Sequence, residues 1–305
     1  MALNEEANTG CHTGQIDGKE KPLKANATGA TFGKGENDMS AQSSNEALVL
    51  RSDDNGIATL TLNRPDHYNT LSTPLMQDLK AHLTALKDDT SIRVVVITGA
   101  GKAFCAGHDL NEMHADPSEA AMRELFQLCT DNMMAMTHLP QPVIAKINGV
   151  AAAAGCQLVA QCDLAIAVDT AKFGTSGINV GLYCSTPSVP VTRNLGRKQA
   201  MELLMTGDMI PAAQAVEWGL INRAVPAERL DSDVQDMAAK IASKSPEAVS
   251  LGKDLFYRQL EEGMEAAYDR AGEAITCNMQ SDATRAAIDS FLNKTSLAKW
   301  PDRKN

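Results

Sequence analysis

The sequence predicts an α/β fold, and three observations carry that reading. Short apolar runs at 93–98, 143–147 and 164–168 have the length and β-branched content of buried strands. The first two end in glycine turns, Gly99-Ala100-Gly101 and Gly149. Leu75, Leu79, Leu83 and Leu86 recur at three- and four-residue spacing, which lines one face of a helix, and Thr73-Pro74 suits its first turn.

From residue 47 the elements can be justified in order. Leu48-Val49-Leu50 and residues 57–62 read as two β segments separated by Asp53-Asp54-Asn55-Gly56, a run of turn formers. The helix through Leu75 and the three buried strands follow. After about Pro226 the pattern is almost wholly helical, at 229–242, 246–258, 264–278 and 282–292. The expected organisation is a strand-rich core over 47–225 and a helical cap or oligomerisation lobe over 226–305. No fixed-period repeat is visible.

Residues 1–46 are rich in Gly, Asn, Thr, Ser and Lys and have few large apolar residues. Such a segment buries too little surface to offset the entropy of ordering and reads as a disordered tail. It has no apolar stretch suited to a secretory leader. It has no Arg either, and it carries Glu5, Glu6, Asp17 and Glu20, which argues against an organellar leader. A cytoplasmic location is the expectation.

Composition removes several function classes. Of 305 residues 44% are hydrophobic, ample for a core, while 28 Lys and Arg stand against 38 Asp and Glu for a net charge of −10. That balance opposes nonspecific nucleic-acid binding, which depends on clustered cations. The longest apolar stretch, 143–156, is interrupted by Lys146 and Asn148 and is too short to span a bilayer. Seven cysteines without a C-x-x-C pair suit reduced thiols better than a disulfide framework. No H-E-x-x-H or comparable spacing occurs, so no metal is expected.

Gly99-Ala100-Gly101-Lys102 fails as a phosphate loop, because Val96 stands where an earlier glycine is needed and Ala103 follows the lysine. No dinucleotide fingerprint follows any strand. Two other loops are more informative, 102–110 (K-A-F-C-A-G-H-D-L) and 147–158 (I-N-G-V-A-A-A-A-G-C-Q-L). Each follows a buried strand, and the second runs into a helix whose N-terminus offers free N–H donors. One N–H from each loop could hold a carbonyl oxygen as it becomes an oxyanion. Small residues there would equally serve tight helix–strand packing.

Residues 144–157 and the Ala106-Gly107-His108-Asp109-Leu110 loop resemble the enoyl-CoA hydratase/isomerase, or crotonase, superfamily. So do Leu62-Asn63-Arg64-Pro65, Phe173-Gly174, residues 204–208 and residues 215–222. The resemblance covers about residues 47–295. It implies a crotonase-like spiral of β-β-α units with a helical C-terminal lobe, and homotrimers or dimers of trimers. The implied ligand is an acyl-CoA thioester, with CoA as part of the substrate and no separate cofactor. Carried over by position, the oxyanion-hole N–H groups are those of His108 and Ala154. Ala106, Asp109 and Leu110 match the loop touching the adenine end of CoA, and His67 and Tyr68 match the CoA channel. Phe291 and Lys294 match C-terminal positions that reach CoA, in some members from a neighbouring subunit. Asp109 could equally be a loop-stabilising carboxylate, and Phe291 a core aromatic.

The chain departs from the hydratase pattern at both acid/base positions, which here read Gln157 and Gly177. An amide cannot take a proton from water, and glycine has no side chain. Each general acid or base contributes roughly 10²–10⁴-fold, so hydration is expected to be poor. Gln157 and residues 177–187 resemble the domain-containing protein 3 subgroup of the superfamily. Within that stretch Cys184 and Ser185 are polar candidates, although a nucleophile there needs a base, and His108 serves only if its ring turns inward. The A-G-H-D loop and the Asn179-x-Gly181 spacing also resemble the superfamily's methylmalonyl-CoA decarboxylase. Three readings stand: a hydratase-type lyase with altered acid/base groups, another oxyanion-hole reaction such as decarboxylation or thioester cleavage, and a non-catalytic acyl-CoA binder.

Overall fold

The computed structural model describes residues 47–296 and 300–303. The expected disordered tail at 1–46 lies outside them. A hairpin opens the fold, β1 (Val49–Asp54) and β2 (Ile57–Leu62) pairing antiparallel. Its turn is Asn55-Gly56, both at positive φ (49° and 77°), as a tight hairpin turn demands. The first strand therefore runs on through Asp53 and Asp54, which the sequence had assigned to the turn. Next comes α1 (Thr73–Asp88), its N-terminus capped by the Ser72 hydroxyl accepting from the Leu75 N–H. Leu75, Leu79, Leu83 and Leu86 are buried as their spacing predicts.

From here two strands and a helical segment alternate. The units are β3 (Val94–Gly99) and β4 (Ala103–Cys105) with α2 (Leu110–Ala115) and α3 (Glu119–His138), then β5 (Val143–Ile147) and β6 (Val150–Ala152) with α4 (Ala154–Gln161). The third is β7 (Leu164–Val168) and β8 (Lys172–Gly174) with α5 (Ser185–Asn194) and α6 (Arg197–Thr206). A last turn of chain gives β9 (Ile210–Pro211), α7 (Ala212–Trp218) and β10 (Arg223–Val225). The first strand of each unit joins one sheet, ordered β1-β2-β3-β5-β7-β10, and the second joins another, β4-β6-β8-β9. From β2 to β10 the larger sheet is parallel. This is the expected spiral of β-β-α units.

The second sheet is where sequence reading falls short. β4, β6 and β8 have three residues each, too few for any periodicity, and the first two lie within stretches read as loops. Backbone pairing rather than side-chain pattern defines them: Ala103 opposite Val150, Cys105 opposite Ala151, and Ala151 opposite Phe173.

The C-terminal helices are α8 (Leu230–Ala242), α9 (Pro246–Gln259), α10 (Met264–Gln280) and α11 (Asp282–Leu292). The first packs on β5 and β7. The second is fixed by one buried cation. Lys253 donates to the carbonyls of Met136 (2.8 Å) and Gln141 (3.0 Å) and to Asp163 (2.6 Å). Asp163 also accepts from the Tyr257 hydroxyl (2.6 Å) and the Val143 N–H (2.7 Å). All three ammonium protons thus have acceptors, which offsets the cost of desolvating the charge. Cys105, Cys129, Cys156, Cys162 and Cys184 are free and buried. Lys253→Ala strands the Asp163 charge and is expected to destabilise the fold by about 3–5 kcal/mol in chemical denaturation.

Candidate active site

The site forms where the exit of β4 meets the start of α4. Leu71 bridges His108 in a parallel pairing: the Leu71 N–H donates to the Gly107 carbonyl (2.8 Å) and the Asp109 N–H to the Leu71 carbonyl (3.4 Å). In that pattern the N–H of His108 points away from Leu71. It has no acceptor among the described residues. Gly107, at φ +105°, makes the turn that aims it.

The second donor comes from α4. Its first residue is Ala154, whose N–H has no intrahelical partner. Ala153 just before it has φ 49° and ψ −116°, an unusual backbone for a residue with a Cβ, held by its N–H donating to the Gly174 carbonyl at 2.8 Å. The two segments touch. A Cβ on Gly107 would lie 3.0 Å from the Ala153 Cβ and 3.4 Å from the Ala154 nitrogen, and one on Gly155 only 2.0 Å from the Cys105 carbonyl oxygen. The small residues therefore serve close approach, and that approach puts the two N–H groups at one cradle.

The His108 imidazole turns to protein, not to a partner. Its ring stands edge-on to Phe126, centroids 5.4 Å apart, and both ring nitrogens are sealed and unpartnered among the described residues. Burial lowers its pKa, so the ring is neutral near pH 7. Neither ring nitrogen bonds Cys184 or Ser185. The Ser185 hydroxyl donates instead to the Tyr183 carbonyl, and burial raises the Cys184 thiol pKa, against a thiolate nucleophile.

Neither vacated acid/base position is a void. Gln157 is 3% exposed, and its Oε1 accepts from the Cys129 thiol at 3.9 Å. At Gly177 an added Cβ would fall 2.6 Å from the Leu182 carbonyl oxygen and 2.9 Å from the Cys184 Sγ. The loop closes over the space that a side chain at 177 needs.

The residues matched to CoA contacts divide into two groups. Tyr68 and Ala106 are joined by a 3.0 Å backbone hydrogen bond, and exposed His67, Tyr68 and Leu110 lie along the same rim. Asp109 is committed locally. Its Oδ2 accepts from Arg64 (3.0 Å) and its Oδ1 from the Asn111 N–H (3.1 Å), capping α2. Phe291 is 78% exposed and so is no core aromatic; it lies on α11, which packs on α10, with Lys294 just beyond. Asn179 donates to the Gly207 carbonyl, a structural use.

Sequence reading missed Asn69 and Cys129. Asn69 is fully buried, donates to the Ala100 and Ala103 carbonyls (2.8 Å each) and accepts from the Arg64 N–H, tying the Tyr68 rim to the start of β4. An Asn followed by Thr after a proline turn was a local signal; nothing local marked Cys129.

The α/β spiral thus brings the chain leaving β4 close to the first turn of α4. A model of the enoyl-CoA hydratase/isomerase family matches residues 52–303, and the chain belongs to that family. It is 40% identical over 247 residues to enoyl-CoA hydratase domain-containing protein 3, mitochondrial, of Xenopus laevis, covering 81% of this chain and 84% of that one. The human protein of the same name is 41% identical over 239 residues, covering 78% and 79%. An enoyl-CoA hydratase structure from Mycobacterium smegmatis superposes with TM-score 0.82 at 48% identity, covering 83% of this chain and 99% of that one. The human domain-containing protein 3 structure gives 0.80 at 39%, covering 82% and 99%.

The cytoplasmic expectation is overturned, because these vertebrate relatives are mitochondrial by name. It had rested on the composition of residues 1–46, outside the fold. Among the described residues no helix is long and apolar enough to cross a membrane.

Burial works against ionising Asp109, but Arg64 and the Asn111 N–H outweigh it and hold the carboxyl below the usual range. Its folded pKa is thus below the unfolded value of about 3.9. The stabilisation is full above that pH and fades as pH falls through the folded value. Asp109→Asn should cost about 1.5–3 kcal/mol at pH 7. In urea titrations the gap to wild type should close towards pH 3.

Proposed function

We propose that this chain binds an acyl-CoA thioester, its carbonyl oxygen on the N–H groups of His108 and Ala154, and stabilises the enolate-like charge that develops there. The observation that carries the reading is the cradle, where the Ala154 nitrogen lies within 3.4 Å of a Cβ position at Gly107. Each such donor supplies about 2.7–4 kcal/mol of transition-state stabilisation. The exposed rim of His67, Tyr68, Ala106 and Leu110 suits the CoA moiety. The exposed apolar residues of α9–α11, including Phe256, Met264, Tyr268, Ile275 and Phe291, suit burial against further copies in a trimer or paired trimers.

Hydration needs a group that takes a proton from water, and neither position 157 nor 177 offers one. The reaction proposed is therefore lyase-type enolate chemistry with altered proton transfer. Loss of CO₂ from an acyl-CoA with a carboxylate on its α-carbon is the second reading. There the C–C bond breaks, its electron pair passes to the enolate, CO₂ leaves, and no base is required. The absence of a proton acceptor at 157 and 177 favours it.

The test pairs binding with turnover. Wild type is expected to bind butyryl-CoA but to hydrate crotonyl-CoA at least 100-fold more slowly than the roughly 10 s⁻¹ typical of enzymes. Gln157→Glu should raise that rate. The Gly177→Glu graft is the poorer probe, because the Leu182 carbonyl blocks its Cβ. Hydration by wild type at tens per second would overturn the acid/base argument, and failure to bind any CoA thioester would overturn the ligand.

A further inference from the structure

The side chain of Gln157 has one end fixed and one end free. Its Oε1 accepts at 3.9 Å from the Sγ–H of Cys129, itself fully buried on α3. Burial pushes the Cys129 thiol up to about 12, so it keeps its proton and remains a donor. The amide is therefore oriented with Nε2 away from Cys129. That Nε2 has no acceptor among the described residues, and it is not one of the side-chain atoms sealed from solvent.

The free end lies beside the cradle. Gln157 stands three residues after Ala154, a rise of about 4.5 Å on the same helix face. Helical side chains lean towards the N-terminus, so the amide reaches back to the end of α4 where the Ala154 N–H projects. A ligand oxygen on that N–H would have its neighbouring carbons on the side of the helix from which the Gln157 amide projects. A glutamate here would present only acceptors; this amide presents a donor.

We propose that Gln157 is a specificity-determining donor, selecting acyl-CoA thioesters that carry an acceptor oxygen (keto, hydroxyl or carboxylate) on one of the two carbons next to the thioester carbonyl. Cys129 is its positioning residue. The inference rests on the acyl-CoA reading above. An unsubstituted acyl chain leaves Nε2 desolvated without a partner, which a site built around a donor penalises.

Calorimetric titration of the full chain with butyryl-, acetoacetyl- and malonyl-CoA tests this. Wild type should bind the two oxygenated thioesters about tenfold or more tightly than butyryl-CoA. Gln157→Met, of similar shape but with no donor, should bring that ratio below threefold, by tightening butyryl-CoA binding and weakening that of the oxygenated thioesters. Gln157→Glu should reverse the preference for malonyl-CoA by charge repulsion. Cys129→Ala should lower the ratio and Cys129→Ser, which keeps a donor, should restore it. Equal wild-type affinity for all three thioesters, or a ratio that survives Gln157→Met, overturns the proposal and leaves acyl-CoA binding standing. If butyryl-CoA and both oxygenated thioesters all fail to bind, the acyl-CoA reading itself falls.

Discussion

The site depends on how closely one backbone passes another. β4 and β6 pair in parallel, Ala103 against Val150 and Cys105 against Ala151, and this register brings the chain leaving β4 against the first turn of α4. The contact admits no side chain at Gly155, where a Cβ would meet the Cys105 carbonyl at 2.0 Å. β4 is buried throughout and β6 at Ala151, so the two backbone segments are held by ladder hydrogen bonds and core packing rather than by mobile side chains. Fixed dipoles of this kind need no reorganisation when charge appears on a ligand oxygen. The outer supports follow from the same crossing: Asn69 pins the rim to the start of β4, and Arg64 pins Asp109 at the head of α2.

How much of this the sequence disclosed follows from where each interaction lies along the chain. Strands β3, β5 and β7, α1 and the four C-terminal helices were legible because burial imposes a pattern over five or more residues. β4, β6 and β8 were not, because three small residues carry no period and owe their state to neighbours far away in sequence. The close approach of the two segments was legible through the glycines and alanines that permit it. The Gln157 partner was not: Cys129 is 28 residues away on another helix, and a buried cysteine has no distinguishing local context. The same blindness left Asp109 undecided between ligand and loop, until Arg64, 45 residues upstream, was found on its carboxylate.

The two positions where the resemblance places acid/base groups are both filled. At 157 an amide of nearly the same shape is held on one side by a protonated thiol. At 177 the loop has moved in, with the Leu182 carbonyl and Cys184 thiol filling the volume where a side chain would begin. A deleted function with no replacement would leave a cavity or an unsatisfied polar group at each position, and each costs stability. At 157 only Nε2 is without an acceptor among the described residues, and it is not sealed from solvent; at 177 packed atoms occupy the space. The His108 ring is the contrast: its nitrogens are buried without partners, and its neutral state keeps that cost within the range for an uncharged group.

Backbone and side-chain machinery respond differently to sequence change, and that difference explains a preserved cradle beside altered proton-transfer positions. The cradle is made of peptide N–H groups whose positions are set by strand register and helix start. Any sequence that keeps the spiral and the small residues at 107 and 153–155 keeps the donors. Acid/base groups depend on single side chains, and one substitution removes them while the fold persists. Gln157 marks the boundary between the two. It lies on the helix that supplies a backbone donor, yet it acts through a side chain whose polarity a single partner sets. On the proposed acyl-CoA reading, the chemistry open to this chain is constrained at the thioester oxygen by the fold and, two carbons further along the ligand, by one amide and the thiol behind it.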